Sequence, residues 1–211
     1  MSSLFSLDGK LYGFLSKLAK IMWINLLTIL CSLPVITLGA SLTAMHKVVY
    51  QIFLEEDDAL TRTFFKAFAE NFKQATLIFV FYLAALVLFW ADFRLFEGFS
   101  ETLRAVSLIL VCVLGLMILF SFTWVFILQS RYTNTITGTI KLSFAVWIGY
   151  LPRTVAMILL ILLPFVVTVF YLQVLPVTLF LGLAGPAFLE AYFYRGVFQA
   201  LEEQDKSEES K

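Results

Sequence analysis

Long apolar segments separated by short polar ones make up most of this chain. A helix of about 20 apolar residues crosses the hydrocarbon layer of a bilayer, and several of the segments reach that length. The pattern predicts five hydrophobic helices, over residues 21–45, 75–97, 105–128, 154–172 and 176–198. In three further segments apolar residues recur at helical spacing with charged residues between them, which is typical of helices lying on a membrane surface. These interfacial helices are predicted over residues 4–20, 58–74 and 138–151.

The predicted fold class is therefore all-α, a polytopic integral membrane helical bundle. Residues 1–201 are expected to form a single membrane domain. The segment 202–211 is rich in Glu, Lys and Ser, a composition that predicts a disordered polar tail.

We predict that two of the five hydrophobic helices are broken. Pro34 lacks a backbone donor and clashes with the preceding turn, and Gly39 tolerates backbone angles that other residues avoid. Gly182 and Pro186 interrupt the last apolar segment in the same way. We expect the first helix to break between Pro34 and Gly39, with Thr37 bonding freed backbone or a neighbouring helix. Gly39 should lie at the break or at a close contact.

The broken first helix allows two topologies. If residues 21–45 cross the membrane once, the chain has five crossings and its termini lie on opposite sides. If the run turns back at the break, nearly all basic residues share one side, and only Arg94 and Arg104 lie on the other. Because basic residues concentrate in cytoplasmic loops, the charges favour the second arrangement. The length of the run favours the first, and both stay open.

The composition supports a membrane protein and excludes one class of partner. Of the 211 residues, 61% are hydrophobic and 14% are charged, whereas a soluble domain is roughly half apolar and a quarter charged. The 15 basic and 15 acidic side chains balance. A nucleic-acid-binding protein would show an excess of basic residues. We therefore expect the protein to lie in a lipid bilayer and to bind no nucleic acid.

The sequence contains none of the common catalytic motifs. His46 is the single histidine, so metal sites with two histidines are excluded, and there is no nucleophile elbow, phosphate-binding loop or dinucleotide fingerprint. Cys31 and Cys112 lie inside apolar runs and are interpreted as buried free thiols. We expect no metal, no cofactor and no enzymatic activity. His46 is interpreted as the polar end of a helix.

Glu190 is the strongest candidate for a functional polar residue, because an acid inside an apolar segment is costly and is often functional. Arg195 lies five positions after Glu190, a spacing that does not favour an ion pair on one helix. The partner of Glu190 would therefore come from another helix, for example Arg153. Alternatively, Glu190 lies near the interface and extends its carboxylate to water. Asn71 is expected to form a hydrogen bond between helices.

Three stretches resemble one known family. They read Trp23-x-Asn25-Leu26-Leu27, then Leu33-Pro34-Val35-Ile36-Thr37-x-Gly39-Ala40 with Thr43-Ala44, and then Phe64-Phe65-x-x-Phe68-x-x-Asn71-Phe72-Lys73-Gln74-Ala75. In these stretches the chain resembles the YesL-like family of bacterial integral membrane proteins, whose domain has no known function.

The resemblance implies a small multi-pass protein of the Gram-positive cytoplasmic membrane, associated with carbohydrate-uptake systems. It supplies no catalytic residue. We expect a non-enzymatic accessory of a carbohydrate ABC uptake or sensing system, with an ABC permease or another membrane protein as its partner and a cytoplasmic C-terminus. The alternative is a small solute transporter or channel that uses the two helix breaks, because interrupted helices build binding sites in transporters.

Overall fold

The computed structural model describes residues 10–56, 59–95 and 100–209. Within these ranges it has eight α-helices and no strand: α1 (Lys10–Ser32), α2 (Leu38–Leu54), α3 (Leu60–Leu95), α4 (Glu101–Gln129), α5 (Ile136–Gly149), α6 (Leu151–Phe170), α7 (Leu175–Leu181) and α8 (Ala184–Glu209). Helices α1, α3, α4 and α6 are long and apolar enough to cross a membrane, and the bent pair of α7 and α8 makes a fifth. The predicted helical membrane bundle is confirmed.

Helices α1 and α2 form an antiparallel hairpin. The ammonium of Lys17, near the start of α1, lies 2.5 Å from a carboxylate oxygen of Glu55 at the end of α2. The chain therefore returns at the break to the end of the bundle from which α1 started, as in the second of the two topologies. The apolar tip of the hairpin is exposed, with Leu33 at 72% of its full accessibility.

The predicted boundary between an interfacial helix and the first span is wrong for α1. One helix runs through residue 20 without interruption, from Lys10 to Ser32. No glycine or proline lies near residue 20, so the backbone has no reason to bend there. Residues 4–9 of the predicted interfacial helix lie outside the described residues.

The predicted elbow between residues 74 and 75 is also wrong, because α3 is one helix of 36 residues. At 1.5 Å per residue it is about 54 Å long, longer than a hydrocarbon layer of about 30 Å. Its charged first part therefore extends beyond the apolar layer. The aromatic stripe there packs partly inside the protein: Phe64 is fully buried among residues of α1 and α2. Positions 58, 96 and 97 of the predicted helices lie outside the described residues.

The predicted disorder after residue 201 differs from the structure, in which α8 continues to Glu209. Arg131 follows α4, and its guanidinium donates hydrogen bonds of 3.0 and 2.5 Å to a carboxylate oxygen of Glu202. That guanidinium also lies over the rings of Tyr50 and Phe198. These contacts hold the first turns of the tail against the bundle, so the helix continues where composition alone predicts disorder. Residues 210 and 211 lie outside the described ranges.

Helix α2 lies at the centre of the bundle and packs against α1, α3, α4 and α8. The core consists of three groups of buried side chains. One joins α1, α2, α3 and the start of α8, a second joins α4, α5, α6 and α8, and the third joins α2, α3 and α4. Because α2 contributes side chains to two of these groups, the packing of α3, α4 and α8 depends on where the hairpin places α2.

Candidate functional site

The first helix break is closed by its own polar side chain. Helix α1 ends at Ser32, a short 3-10 turn covers Val35–Thr37, and α2 begins at Leu38. The Thr37 hydroxyl donates to the carbonyl oxygens of Cys31 (2.5 Å) and Pro34 (2.7 Å). The Cys31 carbonyl belongs to the last turn of α1, whose carbonyls have no partner within the helix, and the Pro34 carbonyl also accepts from the Thr37 backbone N–H at 2.8 Å. The expectation that Thr37 bonds freed backbone groups is confirmed.

Gly39 lies at the closest approach of α2 to its neighbours. A Cβ atom at this position would overlap the carbonyl oxygen of Ala75 and would lie 2.9 Å from Phe79 Cβ and Phe126 Cε1. Backbone and ring atoms on two helices therefore occupy the space that any other side chain needs. The predicted close contact at Gly39 is confirmed, and it brings α2 against both α3 and α4.

The second helix break is held by Asn25 of α1, which is fully buried. Helix α7 ends at Leu181, and α8 begins at Ala184 with a bend of 58°. The Asn25 amide donates to the carbonyl oxygen of Leu179 at 2.7 Å. Its own oxygen accepts from the backbone N–H groups of Leu183 (2.9 Å) and Ala184 (2.8 Å). One side chain thus satisfies three backbone groups that the break leaves without helical partners.

Replacing Asn25 with alanine is expected to lower the free energy of unfolding by about 2 kcal/mol or more, because a backbone group buried without a partner costs about 1–3 kcal/mol. The measurement is a denaturant titration in detergent micelles. The same substitution at Asn134, whose side chain is exposed, is the matched control and should change stability by less than about 0.5 kcal/mol. Equal effects at the two positions would show that Asn25 does not hold the break.

The two breaks face one cavity of about 480 Å³. Its wall includes Leu33 and Leu38, on either side of the first break, and Gly182 and Pro186 at the second. Helices α1, α2, α4, α6 and α8 supply the rest, and most of the lining is apolar. Because Leu33 lines the cavity and is mostly exposed, the cavity reaches the outer surface of the bundle at the apolar tip of the hairpin.

Three polar side chains of the cavity wall carry a buried atom that has no hydrogen-bond partner among the described residues. These atoms are Ser32 Oγ, His46 Nδ1 and Glu190 Oε1. Most buried polar atoms in proteins are paired, so three unpaired ones around one cavity need an explanation. Glu190 is 1% exposed and His46 is 8% exposed. A polar ligand or water in the cavity would satisfy them.

The structure corrects the sequence interpretation of two of these residues. His46 does not mark the polar end of a helix, since it lies halfway along α2 and faces the cavity. Glu190 does not extend to water, since α8 carries it into the centre of the bundle. The side chain of Arg195 is exposed, and the Arg153 guanidinium lies over the ring of Tyr150. Within the described ranges, neither arginine pairs with Glu190.

Of the residues singled out from the sequence, Gly182, Pro186 and Glu190 line the cavity, and Pro34, Thr37 and Gly39 shape the break beside it. Asn71 does not line it. Its amide oxygen accepts from Gln129 at 3.0 Å, and the Gln129 oxygen accepts from Thr139 at 3.1 Å. The predicted interhelical bond of Asn71 is confirmed, as part of a network joining α3, α4 and α5.

Sequence reasoning missed Ser32 and Thr123 as cavity residues. Both lie in strongly apolar runs, where small hydroxyl residues usually bond the preceding turn and give no functional signal. The prediction of buried thiols is half right: Cys31 is partly buried, whereas Cys112 is exposed on α4. In the part of the chain that the structure describes, no three His, Cys, Asp or Glu side chains form a group that could hold a metal ion.

The fold and the cavity define a small, helical, membrane-spanning protein with an internal, mainly apolar site between two broken helices. Residues 21–93 match a family described as "Protein of unknown function, DUF624". The matched segment covers the second half of α1, all of α2 and nearly all of α3, including the first break. No curated protein and no solved structure matches the chain.

Proposed function

We propose that the protein is a non-enzymatic membrane protein that binds a small solute in the cavity, as a small transporter or channel does. The observation that carries this proposal is the convergence of both helix breaks and three unpartnered polar atoms on one cavity. Transporter sites are commonly built where interrupted helices meet within the membrane. An ionisable residue at such a place, here Glu190, is usually functional because its burial is costly.

The size and lining of the cavity fit a binding site. Its volume of about 480 Å³ lies within the range of about 300–1,000 Å³ found for small-molecule pockets. Such pockets combine an apolar wall with a few polar groups that orient the ligand. The wall here has that composition, with Ser32, His46 and Glu190 as the orienting groups.

Chemical labelling of a cysteine in the cavity tests the proposal. In a background with Cys31 and Cys112 replaced by serine, Thr123→Cys places a thiol on the cavity wall. A small methanethiosulfonate reagent is expected to modify this thiol, because the reactive thiolate forms where water has access. Filling the cavity with Ile161→Trp should slow the modification at least tenfold.

Ser143→Cys is the matched control for this experiment. Ser143 is fully buried but lies outside the cavity, bonded to Ser121 at 2.6 Å. It should stay unmodified. If the thiol at position 123 reacts as slowly as the thiol at position 143, the cavity is closed to water and the transporter proposal fails.

We further propose that both ends of the described chain face the cytoplasm of a bacterial cell. Lys17 is at the open end of the hairpin, and Arg131 contacts both Tyr50 of the hairpin and Glu202 near the C-terminus. These contacts bring basic residues to one end of the bundle, which supports a cytoplasmic location for that end. A C-terminal alkaline phosphatase fusion should be inactive and a C-terminal green fluorescent protein fusion should fluoresce; the reverse result would overturn this orientation.

The resemblance to the YesL-like family supports a second function, as an accessory of a carbohydrate ABC uptake or sensing system. The segment that matches the uncharacterised family includes all three stretches that carry the resemblance. The mainly apolar cavity is a poor site for a sugar, whose hydroxyls need many polar partners, so this role would use the outer surface. Isolation from native membranes after crosslinking should recover a permease or a sensor, and recovery of neither would argue against this role.

A further inference from the structure

We infer that the ligand of the cavity is a monovalent hydrophobic cation, an amphiphilic amine that enters from the bilayer. This inference rests on the proposed binding function and names the chemical class of the ligand. Its basis is the charge, shape and opening of the cavity.

The ionisable groups on the cavity wall favour a cation over an anion. Glu190 can supply a negative charge, and the described lining includes no lysine or arginine to supply a positive one. His46 is the other ionisable side chain of the wall, and its imidazole would have to gain a proton in an apolar site before it could balance an anion, which is unfavourable. A protonated amine instead pairs with the Glu190 carboxylate.

The unpartnered atoms also match the hydrogen-bonding needs of an ammonium group. An ammonium offers donors only, and Glu190 Oε1 and Ser32 Oγ are acceptors that have no other partner among the described residues. His46 Nδ1 is a third acceptor when the imidazole proton is on the other nitrogen. The polar atoms therefore provide a site for one charged head.

The remainder of the cavity determines the body of the ligand. Side chains such as Leu42, Met45, Phe122 and Phe126 line it, so an apolar body fits against them. The opening beside Leu33 lies at the exposed apolar tip of the hairpin. A molecule dissolved in the bilayer can reach the cavity there without passing through water, which an amphiphilic amine can do and a sugar cannot.

Three compounds with one carbon skeleton and different heads test this inference: 4-phenylbutylamine, 4-phenylbutanol and 4-phenylbutyrate. Binding is measured by equilibrium dialysis against the full chain in lipid nanodiscs at neutral pH, with binding to empty nanodiscs subtracted. The amine, which is protonated under these conditions, is expected to bind at least tenfold more tightly than the alcohol. The acid should bind more weakly than both. This comparison uses the unaltered protein, so it does not depend on the folding of any variant.

Two substitutions then locate the site. Glu190→Gln should weaken binding of the amine at least tenfold and binding of the alcohol far less, whereas Glu203→Gln, at an exposed position on the same helix, should change neither. Ile161→Trp fills the cavity and should abolish binding of every compound, while Leu163→Trp, at an exposed position outside the cavity, should not.

The possible results separate this inference from the proposed function. If the alcohol or the acid binds as tightly as the amine and Ile161→Trp removes that binding, the cavity is a binding site but the preference for a cation is overturned. If the amine does not bind, or binds equally well to Glu190→Gln, the inference is overturned as well. Binding of any of the three compounds that Ile161→Trp removes shows that the cavity is a binding site, and modification of the thiol at position 123 separately shows whether water reaches it.

Discussion

Replacing Gly39 with alanine is expected to lower the free energy of unfolding by about 1–3 kcal/mol, the usual cost of forcing a methyl group into a filled core. The added Cβ would overlap the Ala75 carbonyl oxygen and crowd Phe79 and Phe126. A backbone oxygen cannot rotate away as a flexible side chain can, so α2 would have to move from α3 and α4. Replacement with leucine should prevent the bundle from forming. Denaturant titration in micelles measures the first effect, and the yield of monodisperse protein measures the second.

Gly13→Ala is the matched control for Gly39→Ala. Gly13 also lies within a helix, but a Cβ there would meet no atom within 4 Å. Alanine is favoured over glycine in a helix by about 1 kcal/mol, so this substitution should leave stability unchanged or raise it. The two substitutions add the same methyl group, so their difference measures packing at the break. If Gly39→Ala lowers the free energy of unfolding no more than Gly13→Ala does, α2 does not pack closely against α3 and α4 at Gly39.

The helix breaks could be predicted from the sequence because they are local. Pro34 has no backbone N–H to donate and lies at the first break, Gly182 lies at the second break, and Pro186 lies in the first turn of α8, where a missing N–H is tolerated. A proline alone does not end a helix in this chain, since α6 continues through Pro164. Chain reversal at the first break was one of two alternatives, because charge and segment length pointed in opposite directions. The contact between Lys17 and Glu55 decides between them, and it depends on tertiary packing.

The two helix boundaries that were predicted wrongly, near residues 20 and 75, also have a local cause. A change from amphipathic to fully apolar composition near residue 75 predicts an elbow only if the backbone can bend there. No glycine or proline lies between residues 60 and 95, so α3 continues through the change of environment. The composition indicates which part of the chain meets water and which part meets lipid, but it does not indicate where the helix ends.

The cavity could not be predicted from the sequence, because its polar residues are distant along the chain. Glu190 stood out as an acid in an apolar segment, but His46 and Ser32 gave no comparable signal. Packing of α1, α2 and α8 brings the three together. Whether a single polar residue in a membrane helix takes part in a binding site depends on the residues that face it. Only the tertiary structure shows which residues those are.

Replacing Glu190 with methionine is expected to raise the free energy of unfolding by about 1–3 kcal/mol, because it removes a buried polar group that has no partner for Oε1 among the described residues. Methionine is flexible and of similar length, so it can fill the space against the apolar wall. Most substitutions of fully buried residues destabilise a protein. A gain in stability here would show that the carboxyl group is kept at a cost to the fold. The measurement is the same denaturant titration in micelles.

Glu203→Met is the matched control, since Glu203 is exposed on the same helix and its replacement should change stability by less than about 0.5 kcal/mol. A loss of stability in Glu190→Met would contradict the prediction and would mean that the carboxyl group supports the fold through contacts with its surroundings. A gain in stability together with lost binding of the amine would separate folding from function at this position. Proteins that sacrifice stability at a binding site show that combination, so the result would identify Glu190 as a residue retained for the ligand.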